Sequence, residues 1–134
     1  LESKKVIIAG SRDITLAPFA ISEIIRLAGY ETSSTLAEID DKPVITEVVC
    51  GKARGIDTSG EEWAHTAGVH VMEFPANWGF HGKAAGPIRN KEMADYADDL
   101  VLIWNGRSTG SGSMKSIMLG VGKPVYEVII KGWS

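Results

Sequence analysis

The sequence predicts an α/β fold, a three-layer sandwich in which about five mainly parallel strands lie between helices. Two observations carry that prediction. Short β-branched and apolar runs alternate with segments of helical periodicity along the 134 residues, a pattern that pairs successive strands in parallel through right-handed crossovers. Glycine-bearing loops also stand where apolar runs give way to helices: Gly10-Ser11-Arg12-Asp13, Gly51-Lys52-Ala53-Arg54-Gly55 and Asn105-Gly106-Arg107-Ser108-Thr109-Gly110-Ser111-Gly112. A fourth, Gly86-Pro87-Ile88-Arg89-Asn90, opens a helix without a strand directly before it.

Each element follows from local chemistry. Lys5 to Ala9 is a short β-branched run ending at Gly10, as a buried strand does. Thr15 is a candidate cap for a helix with Pro18 in its first turn, and Phe19, Ile21, Ile24, Ile25 and Ala28 give its apolar side up to Gly29. Residues 30–43 mix Thr, Ser and acidic residues with weak helical spacing around Leu36 and Ile39, and read as a mobile connection with room for a turn of helix. A second strand covers Val44 to Cys50. The next helix starts near Asp57-Thr58, where Thr58–Glu61 and Ser59–Glu62 have capping-box spacing, and Gly68 stops it. Val69 to Phe74 is a third strand, and residues 75–85 form a loop long enough to be a lid. A helix from about Pro87 to Tyr96, a strand Leu100 to Trp104, a helix from about Ser113 to Leu119 and a strand Pro124 to Ile129 complete the chain. The expected strand order is the Rossmann-like 3-2-1-4-5, in which ligands bind outside the carboxyl ends at the switch between the first and fourth strands.

Composition narrows the function. The formal charge of −3 with 44% hydrophobic and 23% charged residues describes an ordinary globular protein and does not favour bulk nucleic acid or an acidic membrane. Cys50 is the single cysteine, and no Cys/His spacing resembles a metal site. No apolar stretch approaches a membrane span and no signal-peptide pattern is seen, so a cytoplasmic location is expected. Glycine lets backbone approach a ligand, and helix N-termini with Ser, Thr and Arg donors suit an anion. A phosphate-bearing nucleotide is the expected guest.

The run Val48-Val49-Cys50-Gly51-Lys52-Ala53-Arg54-Gly55-Ile56-Asp57, with Ala64-His65, resembles the G-x-ARGID…AH signature of DNA-processing protein A. Arg89-Asn90-Lys91-Glu92-Met93-Ala94 through Asp98 and the Gly106 loop is similar to a segment of the LOG phosphoribohydrolases. Both families belong to the SLOG superfamily of Rossmann-like nucleotide-binding domains. Trp78-Gly79-Phe80-His81-Gly82-Lys83-Ala84-Ala85-Gly86-Pro87-Ile88-Arg89-Asn90, together with the opening Gly-x-Arg and the final Gly-x-Ser-x-Gly loop, resembles the YspA-like branch. The resemblance covers nearly the whole of 1–134 as one domain except 30–43, and it implies a homo-oligomer, with a dimer as the suggested form. It also implies a binding or sensing role for a nucleotide or nucleotide-derived ligand, with phosphoribohydrolase-like cleavage of an N-glycosidic bond as the alternative and single-stranded DNA binding as a weaker one. The phosphoribohydrolase motif places its proline at Trp104, its first glycine at Asn105 and its terminal glutamate at Gly112, while Thr109 is retained. The carboxylate that would steady an oxocarbenium-like centre is therefore missing, although Arg89 is present.

The candidate ligand-binding residues are Gly10, Ser11, Arg12, Gly51, Lys52, Ala53, Arg54, Gly55, Asp57, Trp78, Lys83, Arg89, Asn90, Asn105, Gly106, Ser108, Thr109, Gly110 and Ser111, with Arg89 and Glu92 as candidate catalytic groups. Several have structural alternatives. Asp57 also reads as a helix cap, His65 as a packing or surface residue, and Cys50 as a small apolar residue. Trp78 and Phe80 suit either plugging the core edge or stacking on a base, and Asp98 suits closing the turn into the fourth strand. An exposed arginine at a helix start, as Arg89 is expected to be, opposes the helix dipole unless an anion lies nearby.

Overall fold

A computed structural model describes residues 2–132, the side chains of Ser34 and Thr35 excepted. Leu1, Trp133 and Ser134, part of the expected 1–134 domain, lie outside the described residues. Five strands, β1 (Ser3–Gly10), β2 (Val44–Cys50), β3 (His70–Glu73), β4 (Asp99–Trp104) and β5 (Val125–Ile129), form one sheet in the order 3-2-1-4-5. Every neighbouring pair is parallel. The helices are α1 (Pro18–Leu27), α2 (Ser34–Asp40), α3 (Ile56–Ala67), α4 (Trp78–His81), α5 (Ala85–Tyr96) and α6 (Thr109–Gly120).

The strands are near-continuous apolar runs because both faces of the sheet are covered. Val6, Ile8, Val48, Val101 and Ile103 point to one side and pack with Ile21 and Ile25 of α1 and Ile56 and Trp63 of α3. The alternate residues Ile7, Ala9, Val49, Leu100 and Leu102 meet Met93 and Ala94 of α5 and Met114 and Met118 of α6 on the other side. At the sheet end remote from the glycine loops, the buried Asp99 carboxylate accepts hydrogen bonds from the Tyr30 hydroxyl and from Lys4 Nζ at 3.5 Å. Asp98 closes the turn into β4 by pairing both ways with the Lys5 backbone, at 2.8 Å each.

Several boundaries differ from the sequence reading. Thr15 is exposed and does not cap α1; Ala17 is the capping residue, Pro18 opens the helix, and Phe19 is 76% exposed. Residues 30–43 are no mere connection. The Ser33 hydroxyl accepts from the Leu36 amide and starts α2, Ala37 packs inward, and Glu31 bridges to Val44. Leu36 and Ile39, the residues that suggested the weak helical spacing, are exposed. The capping boxes at Thr58 and Ser59 are not used, because α3 already begins at Ile56 behind Gly55. The lid-length stretch 75–85 folds instead into α4, capped by Asn77 Oδ1 on the Phe80 amide, and a 3-10 turn at Gly82–Ala84. That turn runs into α5 at Ala85, so Arg89 lies in the second turn of its helix. α6 likewise starts at Thr109, four residues earlier than expected, and takes Gly110 and Ser111 into its first turn.

Candidate functional site

The glycine loops meet at the carboxyl ends of β1, β2 and β4. Gly10 is paired in register with Ile103, and a Cβ on Gly10 would stand 1.7 Å from the Ile103 carbonyl oxygen, so no larger residue fits there. Directly beyond, Ser11 is fully buried. Its hydroxyl accepts from the Asn105 amide at 3.1 Å and lies 2.9 Å from the Ser108 hydroxyl. Ser108 Oγ in turn donates to Asn105 Oδ1 at 3.1 Å. Each hydroxyl has one proton, so the ring has a single sense: Ser11 donates to Ser108, which donates to Asn105. Ser11 is thus a clasp between the first and fourth βα loops.

The loop after β2 is fixed to the same clasp. The Ile56 amide donates to the Ser11 carbonyl at 3.2 Å. Gly55 has φ +80°, and a Cβ there would come 2.3 Å from the Ser11 carbonyl oxygen. Lys52 takes a left-handed φ of 62°, uncommon for a residue with a side chain. Its ammonium pairs with Glu61 at 2.8 Å and Glu73 at 3.1 Å, which satisfies it within the protein and raises its pKa.

Arg89 is 8% exposed rather than the open helix-start arginine the sequence suggested. Its Nη1 donates to the Gly51 carbonyl, and its Nε donates to Asn90 Oδ1 at 3.0 Å. Asn90 Nδ2 reaches the Gly110 carbonyl at 3.4 Å. Arg89 and Asn90 therefore strut the β2 loop against the first turn of α6. Asp57 is one residue inside α3, not at its cap, and its Oδ2 accepts from the Ala53 amide at 3.2 Å. Burial raises its pKa to about 6, against the opposing pull of the Ala53 N–H and the nearby Arg89 and Arg12 charges. Burial likewise depresses the Arg89 pKa, with Asp57 opposing.

Two clefts open on this framework. The first, about 550 Å³, is lined by Gly10, Arg12, Ala53, Arg54, Asp57, Arg89, Asn90, Asn105 and Ser108 to Ser111. Its other lining residues, Ala9, Asp13, Met93 and Met114, are not among the candidate ligand-binding residues of the sequence. Asp13 directly follows the Gly10-Ser11-Arg12 run, and Met93 lies in the Arg89 to Ala94 motif, so both could have been found there, whereas Met114 is an inward position on α6 outside the quoted motifs. The second cleft, about 510 Å³, is lined by Gly51, Lys52, Pro75, Ala76 and Trp78, and it shares Arg12, Ala53, Arg54 and Arg89 with the first. Gly55 and Ser11 support the clefts from beneath, while Gly106, at φ +83°, turns the fourth loop. Lys83 and Glu92 are exposed and line neither cleft.

The arrangement can hold an anion. Three guanidinium groups, each a planar fork of donors, face the shared wall. No side chain caps the N-terminus of α6, which leaves its first amides and the positive end of its dipole facing the first cleft. Neither Cys50 nor His65 is placed as a nucleophile. Cys50 is 1% exposed and burial pushes its thiol up to about 12, far from the thiolate that reactivity needs. His65 is a surface residue 3.5 Å from Glu61. A Cβ on Gly112, where the phosphoribohydrolases carry glutamate, would stand 3.6 Å from the Trp104 ring.

Among the described residues no helix is long and apolar enough to cross a membrane. Residues 30–81 match the family described as YspA, cpYpsA-related SLOG family, which includes the whole β2 loop and Trp78. A stretch of 80 residues is 38% identical to the Gene 61 protein of Mycobacterium phage D29, over 55% of this chain and 64% of that protein. The match thus spans slightly less than two thirds of the relative's length. No solved structure gives a significant match. With its parallel 3-2-1-4-5 sheet and a β2 loop inside the matched segment, the chain is similar to the YspA-like branch of the SLOG superfamily.

Proposed function

We propose that this protein binds or senses a nucleotide or nucleotide-derived ligand, with its phosphate held in the clefts at the carboxyl end of the sheet. The observation that carries the reading is the convergence of Arg12, Arg54 and Arg89 on one wall at the switch point. Asp13 and Asp57 are the carboxylates of the first cleft, so arginine outnumbers carboxylate there. Guanidinium forks match phosphate oxygens in pairs, and the uncapped start of α6 adds backbone donors. The apolar floor of Ala9, Met93 and Met114, with amides from Asn90 and Asn105, provides surface and hydrogen bonds for a nucleoside. The similarity of residues 30–81 to the SLOG family is compatible with nucleotide-related binding or processing. Binding without turnover is the favoured form, because Gly112 stands where the phosphoribohydrolases carry glutamate and Glu92 lies outside the cleft.

Calorimetric titration with the adenine, guanine, cytosine and uracil nucleoside mono- and diphosphates tests the reading. Saturable binding of at least one, weakened in Arg54→Ala, is expected. Failure of all eight, and of dinucleoside diphosphates of the same bases and ADP-ribose, to bind the wild-type protein would remove it.

A further inference from the structure

The two clefts are not separate sites. They meet across a common wall of Arg12, Ala53, Arg54 and Arg89, and they differ in chemistry on its two sides. The first holds Asp57, Asn90, Asn105, Ser108 and Thr109 above Met93 and Met114, a set with acceptors for sugar hydroxyls and an apolar floor. The second has no carboxylate among its lining residues; Arg12, Lys52, Arg54 and Arg89 border it, and its far side is built from Pro75, Ala76 and Trp78. Trp78 is 51% exposed. A Cβ on Gly86 would be 3.3 Å from Trp78 Cη2, so the rim of the indole rests on the start of α5 while much of the ring stays open.

A mononucleotide fills one cleft and leaves the aromatic end of the other without a role. Resting on the nucleotide-binding reading above, we infer that the ligand is two-ended: a nucleoside joined through a pyrophosphate to a second ring-bearing group. The nucleoside occupies the first cleft, the pyrophosphate spans the arginine wall, and the second group lies against Trp78. Two adjacent phosphates carry more charge than one and match a wall of three guanidiniums better. An exposed indole held on one edge offers a stacking surface to a flat ring. Trp78 is in this account the residue that selects bridged ligands over simple nucleotides.

The test compares wild type, Trp78→Ala and Trp78→Phe by calorimetry. The probes are AMP, GMP, CMP and UMP, their diphosphates, the symmetric dinucleoside diphosphates of the same bases, and ADP-ribose. For the preferred base, the wild type should bind at least one bridged ligand about tenfold or more tightly than the nucleoside diphosphate, since stacking on an aromatic side chain typically contributes that much. Trp78→Ala should lose this advantage, read as the ratio of bridged-ligand to nucleoside-diphosphate affinity within each protein, and Trp78→Phe should restore part of it. Unchanged melting temperature in both variants would exclude a folding effect. If mono- or diphosphates bind but bridged ligands gain nothing, or if the gain survives in Trp78→Ala, the two-ended ligand is wrong and the nucleotide-binding reading stands. If none of the probes binds the wild type, both fall.

Discussion

Arg54 and Arg89 stand on the same wall, yet their substitution should have different signatures. Arg54 is exposed, so Arg54→Ala should leave the melting temperature of the free protein unchanged. It should weaken a phosphate ligand by about 10- to 150-fold, the equivalent of one charge-assisted hydrogen bond. Arg89→Ala removes the donor to the buried Gly51 carbonyl and to Asn90. That leaves polar groups unsatisfied and should cost about 1–3 kcal/mol of stability, read by denaturant unfolding, in addition to any loss of affinity. Asp57 makes a third, pH-dependent case. Its folded pKa is raised to about 6 from 3.8, so the folded state holds a proton that the unfolded state has released between those values. Asp57 therefore costs nothing below about pH 4, costs progressively more as pH rises to 6, and above that costs a constant amount on the order of 3 kcal/mol. Asp57→Asn keeps an acceptor for the Ala53 amide and should raise the melting temperature at pH 7.5 with little effect at pH 4.

At the scale of the element, loop geometry decides where each helix starts. Gly55→Ala is expected to be strongly destabilising, because φ is +80° and the new methyl would collide with backbone atoms of Ser11 and Arg12. A fall in melting temperature well beyond that of Gly68→Ala, where no atom lies within 4 Å of the new Cβ, would confirm that collision rather than φ alone is responsible. The same loops explain what could be read from the sequence. The strands were legible because β-branched runs buried on both faces leave few alternatives, and the order 3-2-1-4-5 followed from their alternation with helices. Helix starts were less legible. Thr58 and Ser59 carry the right side chains for caps, but their hydroxyls donate to the carbonyls of Ala53 and Gly55 inside the first turns. Residues 30–43 were opaque because α2 is held by a small contact at Ala37 while its larger apolar residues face outward. Of the candidate site, the loop residues were legible through glycine and arginine. The burial of Arg89 was not, since it depends on a long-range bond from α5 to Gly51 that no local pattern encodes.

For the whole molecule, charge sets a limit. With a formal charge of −3, few phosphates of a nucleic acid can be neutralised outside the clefts. Single-stranded DNA should bind only weakly and with small salt dependence, measurable by fluorescence anisotropy at two salt concentrations. Affinity on the order of 10⁻⁸ M at physiological salt would instead point to a polynucleotide partner. Turnover of nucleoside monophosphates should be slow or absent, because losing one transition-state stabiliser typically costs about 10²–10³ in rate and Gly112 supplies no carboxylate. A rate near the ordinary enzyme median of roughly 10 s⁻¹ in a base-release assay would overturn that expectation.

The hydroxyl ring of Ser11, Ser108 and Asn105 also has a kinetic consequence. Because these groups satisfy one another, two of the loops that would meet an incoming anion are already locked before it arrives. The Asn105 and Ser108 amides should therefore exchange slowly with deuterium in the free protein, and ligand should slow them little further. Association should be a single fast phase with no preceding rearrangement. In Ser11→Ala the lock is lost: those amides should exchange quickly until ligand is added, and a slower concentration-independent phase should appear in stopped-flow binding as the loops order themselves around the guest.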